Sequence, residues 1–365
     1  MTTNKRIFLP LNSIDENRLS SEKYNDFIRC IKEVEFIEER FKIHQSLNNL
    51  SFLPTNIKRK ITKYALSSKI YNSNNFDIIH ILEQSNLYIV KHFLTKNIYA
   101  TIHDIIPVLA HRKKIEGFSY PNNPIFFKYN LKQLKYVNKI IAVSNRTRLD
   151  LFDHFQDENL DINVIHNPVN PLIKKIEREE LEKFYRIENI NPDTDKIIIV
   201  GLSKIKNISF SLKIFERLLI NFPKLELHLV GSFYCINQSD GFVIQNYPKN
   251  IFLHQNVDDI KLSYLYSMSK ILLFPSYYEG FGLPLVEAMT CGAVVVTSDR
   301  GSIPEIVDDA GLIINLNDMD LFVNRITELL INNEYYENFK HLGLNRSKFF
   351  SIENFINKHI LLYNE

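Results

Sequence analysis

The chain of 365 residues is short of cysteine, of long apolar runs and of net charge, and each shortage removes a class of function. Its three cysteines, Cys30, Cys235 and Cys291, are an odd number without metal-ligand spacing, which fits reduced, unpaired thiols rather than a disulfide framework. No His/Cys cluster elsewhere carries metal spacing, so no metal is expected. No stretch approaches the roughly 18 apolar residues of a membrane span, and the one short apolar run of MTTNKRIFLPLNSIDENR is too brief for a signal peptide. A cytoplasmic protein is expected. The formal net charge is only +2, so no global field points to nucleic acid. Neither a solenoid repeat nor a low-complexity tract is present. What remains is an ordinary globular composition, 45% hydrophobic and 24% charged, long enough for about two domains.

Both halves read as strands alternating with helices. In the second half, apolar runs recur at Lys196–Gly201, Glu226–Gly231, Ile251–His254, Ile271–Ser276, Ala293–Ser298 and Gly311–Leu316. They are rich in Ile, Val and Leu and mostly do not alternate, as expected of parallel strands buried on both faces. Phe210, Ile214, Phe215 and Leu218 make a helical stripe between the first two. The first half repeats the pattern less cleanly, with Arg6–Leu9, Phe76–Leu82, Ile98–Asp104, Lys139–Ser144 and Ile162–Asn167. Such alternation predicts doubly wound α/β domains, which bind ligands at the carboxyl ends of their strands. The segment from about Asn170 to Thr194, with its prolines and the charge run IEREELEK, reads as an exposed connector. Domains are therefore expected over 1–172 and 173–350. Ser351–Tyr363 has helical spacing.

The most informative stretch is FPSYYEGFGLPLVEAM, in which Glu279 and Glu287 bracket a strand-to-helix turn. Gly280 and Gly282 allow close backbone approach, Pro284 suits the first helical position, and the helix start presents unpaired N–H groups and partial positive charge. A phosphate fits there. Two carboxylates beside it would repel phosphate, so they are better used as acceptors from neutral hydroxyls of a sugar and a ribose. The implied ligand is a nucleotide sugar.

The whole phrase, Phe274-Pro275-Ser276 before Glu279-Gly280-Phe281-Gly282-Leu283-Pro284 and Glu287-Ala288-Met289 after, resembles the Glu-x7-Glu mark of the retaining GT-B glycosyltransferases of family four. The resemblance implies two Rossmann-like domains facing a central cleft, the donor on the C-terminal one, the acceptor on the N-terminal one, and a final helix, about 351–365, crossing back onto the first domain. It implies transfer with retention and without metal or other cofactor. Glu279 would orient the donor sugar, Glu287 would hold the ribose, and the N–H groups of Phe281 to Leu283 would stabilise the leaving diphosphate. After Gly201, the family's basic pair corresponds to Lys204 and Lys206, the former replacing an arginine and so acting as a point charge. His103, at the end of its strand, corresponds to the residue facing the donor sugar, and Asp104 follows it toward the acceptor. The Ser144-Asn145-Arg146-Thr147 turn resembles a family turn where acceptor or phosphate contacts occur, although Ser144 equally suits a helix N-cap. The loop near Asn256-Val257 would meet the base. Gly301-Ser302-Ile303-Pro304-Glu305 matches a family loop that is mainly structural. The segment after the first strand, SIDENRLSSEK, lacks the glycine-rich turn common in the family, and Asn167-Pro168-Val169-Asn170 replaces Asn-Gly-Val-Asp.

Two further signals compete. Asp193-Thr194-Asp195 has the Asp-x-Asp form of the other large glycosyltransferase fold, but it precedes a strand in a polar connector and reads as a solvated loop. From Lys91 to Arg148, eleven cations face two acids and are interleaved with Phe118, Tyr120, Phe126, Phe127 and Tyr129. That stretch suits either a solvated face or contact with an anionic membrane or a lipid-linked acceptor. The expected function is transfer of a sugar to a glycan, lipid-linked or other hydroxyl acceptor in cell-surface polysaccharide or glycolipid synthesis. The alternatives are a nucleotide-sugar epimerase of the same fold and a non-catalytic scaffold subunit.

Overall fold

The structure, a computed structural model, describes residues 5–12, 24, 26–32, 35–41, 76–93, 97–120, 123–157 and 160–365. Their contacts divide the chain into two units. The first comprises Met1–Arg112, Tyr120–His166 and Phe355–Glu365, and the second Lys113–Ser119 and Asn167–Asn354. The chain thus changes unit at 166/167, and 113–119 belongs with the second half.

Unit 2 carries a six-stranded sheet of β7 (Lys196–Val200), β8 (Glu226–Val230), β9 (Ile251–His254), β10 (Ile271–Phe274), β11 (Val294–Ser298) and β12 (Gly311–Ile314). Every pair is parallel and the order is β12-β11-β10-β7-β8-β9. Strands β8, β10 and β11 are buried along their whole length and β7 along all but its last residue, as their apolar runs require. The Ile208–Leu219 helix covers the sheet with Leu212, Ile214, Phe215 and Leu218, each at most 1% exposed. At about 1.5–3 kcal/mol for each large apolar side chain removed from water, this stripe is what holds the helix in place. The order reverses between β7 and β10. Chain connections diverge there to opposite faces, leaving a crevice at the carboxyl ends of the strands.

In unit 1 the strands are β1 (Arg6–Asn12), β2 (Glu35–Phe41), β3 (Ile78–Ile81), β4 (Ile98–Ile102), β5 (Lys139–Ala142) and β6 (Ile162–Val164), all parallel, in the order β2-β1-β3-β4-β5-β6. β2, EFIEERF, is absent from the sequence expectation because its charges interrupt any apolar run. It pairs only with β1, at the sheet edge, where such a composition is tolerated. The segment 13–23 expected to lack a glycine-rich turn lies outside the described residues. The connector also differs from expectation: Arg178–Glu188 forms an 11-residue helix with no buried residue. Glu179 and Glu180 occupy the first turn and Arg186 the last, which suits the helix dipole.

The Ile352–Asn364 helix ends the chain, and from Phe355 onward it belongs to unit 1. Its seat is polar. His359 Nδ1 lies 3.0 Å from the Phe355 carbonyl and must donate to it, so Nε2 accepts from the Tyr24 hydroxyl at 3.0 Å. Thr101 donates to Tyr24 at 3.1 Å and receives His80 Nε2–H at 2.8 Å, while the Tyr363 hydroxyl, 2.7 Å away, donates to His80 Nδ1. Each ring needs one proton, so both histidines are neutral. All five side chains are essentially closed to solvent, at no more than 1% exposure.

Candidate functional site

The Glu279 turn begins where β10 ends, beside the reversal point, and Gly201 closes β7 on the other side of it. Gly201 has φ +85°, and a Cβ there would stand 3.3 Å from Lys206 Cε. The glycine therefore lets the Lys206 stem lie across the strand end. The ammonium reaches Glu279, with Nζ 2.6 Å from Oε1, and sits 4.5 Å from the centre of the Phe274 ring. This ion pair spans the crevice between β7 and β10. Tyr277 N donates to the Ile205 carbonyl at 2.9 Å and ties the same two loops together.

The backbone of Glu279 is held from behind. Gly301, at φ +61°, packs so closely that a Cβ would meet Glu279 O at 2.5 Å and Glu279 N at 2.7 Å. Ser302 N donates to Glu279 O, and the Ser302 hydroxyl, fully buried, lies 2.9 Å from the Phe281 carbonyl. The Gly301–Glu305 loop thus acts as a clamp on the turn, the structural part given to it above.

The helix Leu283–Cys291 opens after Gly282, whose φ of +95° reverses the chain direction. It begins at Leu283, so Pro284 is the second helical residue and not the first. No side chain caps this start. The N–H groups of Gly282 and Leu283 have no partner among the described residues, and they lie beside the Lys206–Glu279 pair in sequence and at the same strand end. Phe281 stays on the turn with its ring buried and edge-on to Phe350 at 5.7 Å. Glu287 faces inward, 3% exposed, and receives the Tyr266 hydroxyl at 3.0 Å. Burial and the Glu287 carboxylate hold the Tyr266 hydroxyl well above its ordinary range, keeping it a donor. Tyr266 carries no sequence signal: it is one of two tyrosines on the Asp259–Met268 helix, and only the packing of that helix reveals its part. Val257 lies at the carboxyl end of β9, after Asn256 in the left-handed region. Gly280 is buried within the turn.

Lys204 does not join this group. It is exposed, its ammonium makes no hydrogen bond or ion pair among the described residues, and it lines a separate cavity. The Asp193-Thr194-Asp195 segment is a turn over a buried lysine: Lys196, 1% exposed, donates to the Thr194 carbonyl at 2.7 Å.

In unit 1, His103 is 9% exposed and its Nε2 lies 2.9 Å from the Leu82 carbonyl, so it carries its proton there. Burial pushes its pKa below the ordinary value. A neutral ring with Nε2 protonated leaves Nδ1 as an acceptor. Asp104 Oδ1 receives Ile106 N at 3.0 Å and so shapes the start of the Ile106–His111 helix. Ser144 is fully buried and caps the Asn145–Phe155 helix by accepting from Thr147 N. The helix cap expected of it is formed, and its hydroxyl also donates to Thr147 Oγ1.

The family model "Glycosyl transferases group 1" matches residues 181–346, and "Glycosyltransferase Family 4" matches residues 32–171. The O-antigen chain mannosyltransferase B of Escherichia coli is 45% identical over 98 residues, 27% of this chain and 26% of that protein. The O-antigen chain mannosyltransferase RfbU of Salmonella typhimurium is 26% identical over 236 residues, 62% of this chain and 63% of that protein. The chain spans between 26% and 63% of the lengths of these and a further mannosyltransferase relative, WbdA of Escherichia coli. Among solved structures, sucrose-phosphate synthase from Thermosynechococcus elongatus superposes with a TM-score of 0.76 at 17% identity, covering 99% of this chain and 98% of that one. HepE of Anabaena, solved with UDP and glucose, gives 0.75 at 15% identity over 99% of each chain. At these identities the likeness is one of fold. Glycosyltransferase models thus match 32–171 and 181–346 in turn, and across nearly its whole length the chain has the GT-B fold of these glycosyltransferase structures.

Proposed function

We propose that this chain transfers a sugar, mannose foremost, from a nucleotide sugar to a glycan or lipid-linked hydroxyl during polysaccharide assembly, with retention at the anomeric carbon and without a metal. The observation that carries this reading is the Lys206–Glu279 pair, 2.6 Å long, at the reversal point of the sheet and beside an uncapped helix start. When the bond from the sugar to phosphate breaks, negative charge grows on the departing diphosphate. Lys206 and the Gly282 and Leu283 N–H groups are fixed donors suited to that charge, and fixed donors need not reorganise as it develops. They supply the role that a metal would otherwise fill. Glu279 accepts from sugar hydroxyls and sets the ring's orientation, while Glu287, itself positioned by Tyr266, accepts from ribose hydroxyls. From unit 1, His103 would offer Nδ1 to a hydroxyl of the donor sugar. Mannose is favoured because mannosyltransferases recur among the relatives in sequence.

A thermal-shift panel of UDP, GDP, ADP and dTDP tests the donor site. One of them at about a hundred times its dissociation constant adds about 2.7 kcal/mol to the folded state. It is expected to raise the melting temperature of the wild type and not of a Lys206→Ala, Glu287→Ala double variant. Turnover of the matching nucleoside-diphosphate mannose, in EDTA and with an acceptor glycan, should then give product of unchanged anomeric configuration. Epimerised donor in the absence of acceptor would show an epimerase instead, and no response to any nucleotide would leave only a scaffold.

The acceptor side of the proposal includes contact with an anionic membrane. No acidic residue occurs from 117 to 149. In unit 1, Ile125, Phe126 and Tyr136 are 65%, 40% and 51% exposed, among the exposed cations Lys132 and Lys135. Such a surface is suited to enter the headgroup layer while its cations meet lipid phosphates. The protein is expected to float with vesicles containing about a third phosphatidylglycerol and not with phosphatidylcholine alone. Flotation unchanged by Ile125→Ser with Phe126→Ser would remove this surface from consideration.

A further inference from the structure

Glu116 is the sole acid between Asp104 and Arg148, in a stretch otherwise dense in cations, and none of the assignments above uses it. It lies in Lys113–Ser119, the segment that belongs with unit 2 although the chain on either side of it belongs with unit 1. Glu116 Oε2 receives Arg300 Nη1–H at 2.5 Å, and Oε1 lies 3.4 Å from Asn317 Nδ2. The hydrogen bond from Arg300, and then that from Asn317, hold its carboxyl below the ordinary carboxylate range. Gly117 follows in the left-handed region at φ +76°, so close to Tyr277 that a Cβ would stand 2.5 Å from the ring. Phe118 then stacks on Tyr277, with ring centres 6.0 Å apart. A charge-assisted hydrogen bond, a close approach and a ring stack thus attach three consecutive residues to two loops of unit 2.

Both loops lead to Glu279. Tyr277 precedes it by two residues and donates its N–H to the Ile205 carbonyl. Arg300 adjoins Gly301, whose missing Cβ lets the clamp lie against the Glu279 backbone. The Arg300 carbonyl accepts from Ile303 N at 3.2 Å and closes the turn that carries Ser302, the residue holding the Glu279 and Phe281 carbonyls. Asp299 gives Arg300 a second counter-charge, with Oδ1 3.0 Å from Nε, so loss of Glu116 does not strand the guanidinium. An ion pair at the surface adds little to stability, but one that fixes the loop behind a reacting group acts on geometry, to which rate is far more sensitive.

We propose that Glu116, Gly117 and Phe118 form a strap that positions the donor turn, Glu116 through Arg300 and the Gly301–Ser302 clamp, and Phe118 through Tyr277. Both side chains act on Glu279 through other residues and are positioning residues. The effect on rate rests on the glycosyl-transfer reading; the hold on the turn does not.

Hydrogen exchange of the full chain without nucleotide tests the hold, read at the Ser302 and Tyr277 amides, which donate to the Glu279 and Ile205 carbonyls. Glu116→Ala is expected to speed exchange at Ser302, and Phe118→Ala at Tyr277, each by about fivefold through easier local opening. Phe118→Tyr, which keeps the ring, should exchange as wild type does. With a nucleotide sugar whose nucleotide stabilises the wild type, Glu116→Ala should lose about tenfold in kcat while nucleotide affinity and melting temperature stay unchanged. Exchange unaltered in both alanine variants overturns the strap. Faster exchange with unchanged kcat overturns its part in transfer, and a fall in melting temperature that accounts for the lost activity reduces Glu116 to a structural residue. Faster exchange in the variants of a protein that binds no nucleotide would uphold the strap and remove the donor-site reading instead.

Discussion

Lowering the pH from 6.5 to 4 is expected to cost unit 1 about 3 kcal/mol of stability through His359 alone, at about 1.4 kcal/mol for each pH unit between its unfolded and folded values. Burial is the cause: it pushes the folded pKa of His359 down to about 4, from 6.5. The sign follows from proton uptake. Above 6.5 neither state binds the proton and the contribution is whole. Below 6.5 the unfolded chain binds a proton that the folded one refuses, so stability falls until the pH passes about 4. His80 adds to the effect in the same direction, held well below its ordinary value by burial first and then by His359 and His103. The hydrogen-bond chain gives the refusal a structural reason. His359 Nε2 already accepts from Tyr24 and His80 Nδ1 from Tyr363, so an added proton on either ring would point a donor at a donor. In calorimetry, the transition of unit 1 should move down steeply through this range, and His359→Gln, which keeps an acceptor and a donor but does not titrate, should flatten the slope. An identical pH profile in that variant would exclude His359 as the origin. His254 in unit 2, lowered to about 4 by burial and by the neighbouring His228, should act in the same sense on the other transition.

The second large effect concerns turnover. Glu279→Gln is expected to bind the donor and to lose about 10²–10³-fold in kcat, the scale for removing one fixed electrostatic partner from a reacting centre. The amide keeps the shape of the carboxylate but gives up its charge and half its acceptor capacity, so sugar orientation suffers more than nucleotide binding. Lys206→Ala should lose a similar factor in kcat and also weaken nucleotide diphosphate binding, because its ammonium serves the leaving group. It also strands the Glu279 carboxylate, whose side chain is only 11% exposed, and should cost about 1–3 kcal/mol in stability. Lys206→Met with Glu279→Gln removes both charges at once. That double variant should recover most of the stability and none of the activity, which separates the structural part of the pair from the chemical one. Unchanged kcat in Glu279→Gln would remove that carboxylate from the mechanism.

Much of the scaffold was legible because parallel strands buried on both faces leave uninterrupted Ile/Val/Leu runs. KIIIV, ELHLV and VVVTS fall within a residue or two of where their runs placed them. β2 left no such trace, since an edge strand with charges satisfies no apolar pattern. The Arg178–Glu188 helix was hidden in a similar way. None of its residues is fully buried, and its short stripe of Leu181, Phe184 and Tyr185, half-buried with Phe184 stacked on Tyr264, is masked in the sequence by the surrounding charges.

By itself, then, the sequence determined the alternation of strands and helices, the strand-end position of Glu279, and the glycines that its turn requires, because these depend on local backbone freedom and on burial pattern. Tertiary structure alone decided which donors meet which acceptors. Lys206 and Glu279 are 73 residues apart and become a pair only because β7 and β10 are neighbours where the sheet reverses. The same packing gives Glu287 to Tyr266 and turns Lys204 toward a different cavity. It also closes His80, Thr101, Tyr24, His359 and Tyr363 into one chain of hydrogen bonds, from residues up to 335 positions apart. A hydrogen bond depends on distance and angle in space, and spacing along a chain carries neither once the partners lie on different elements.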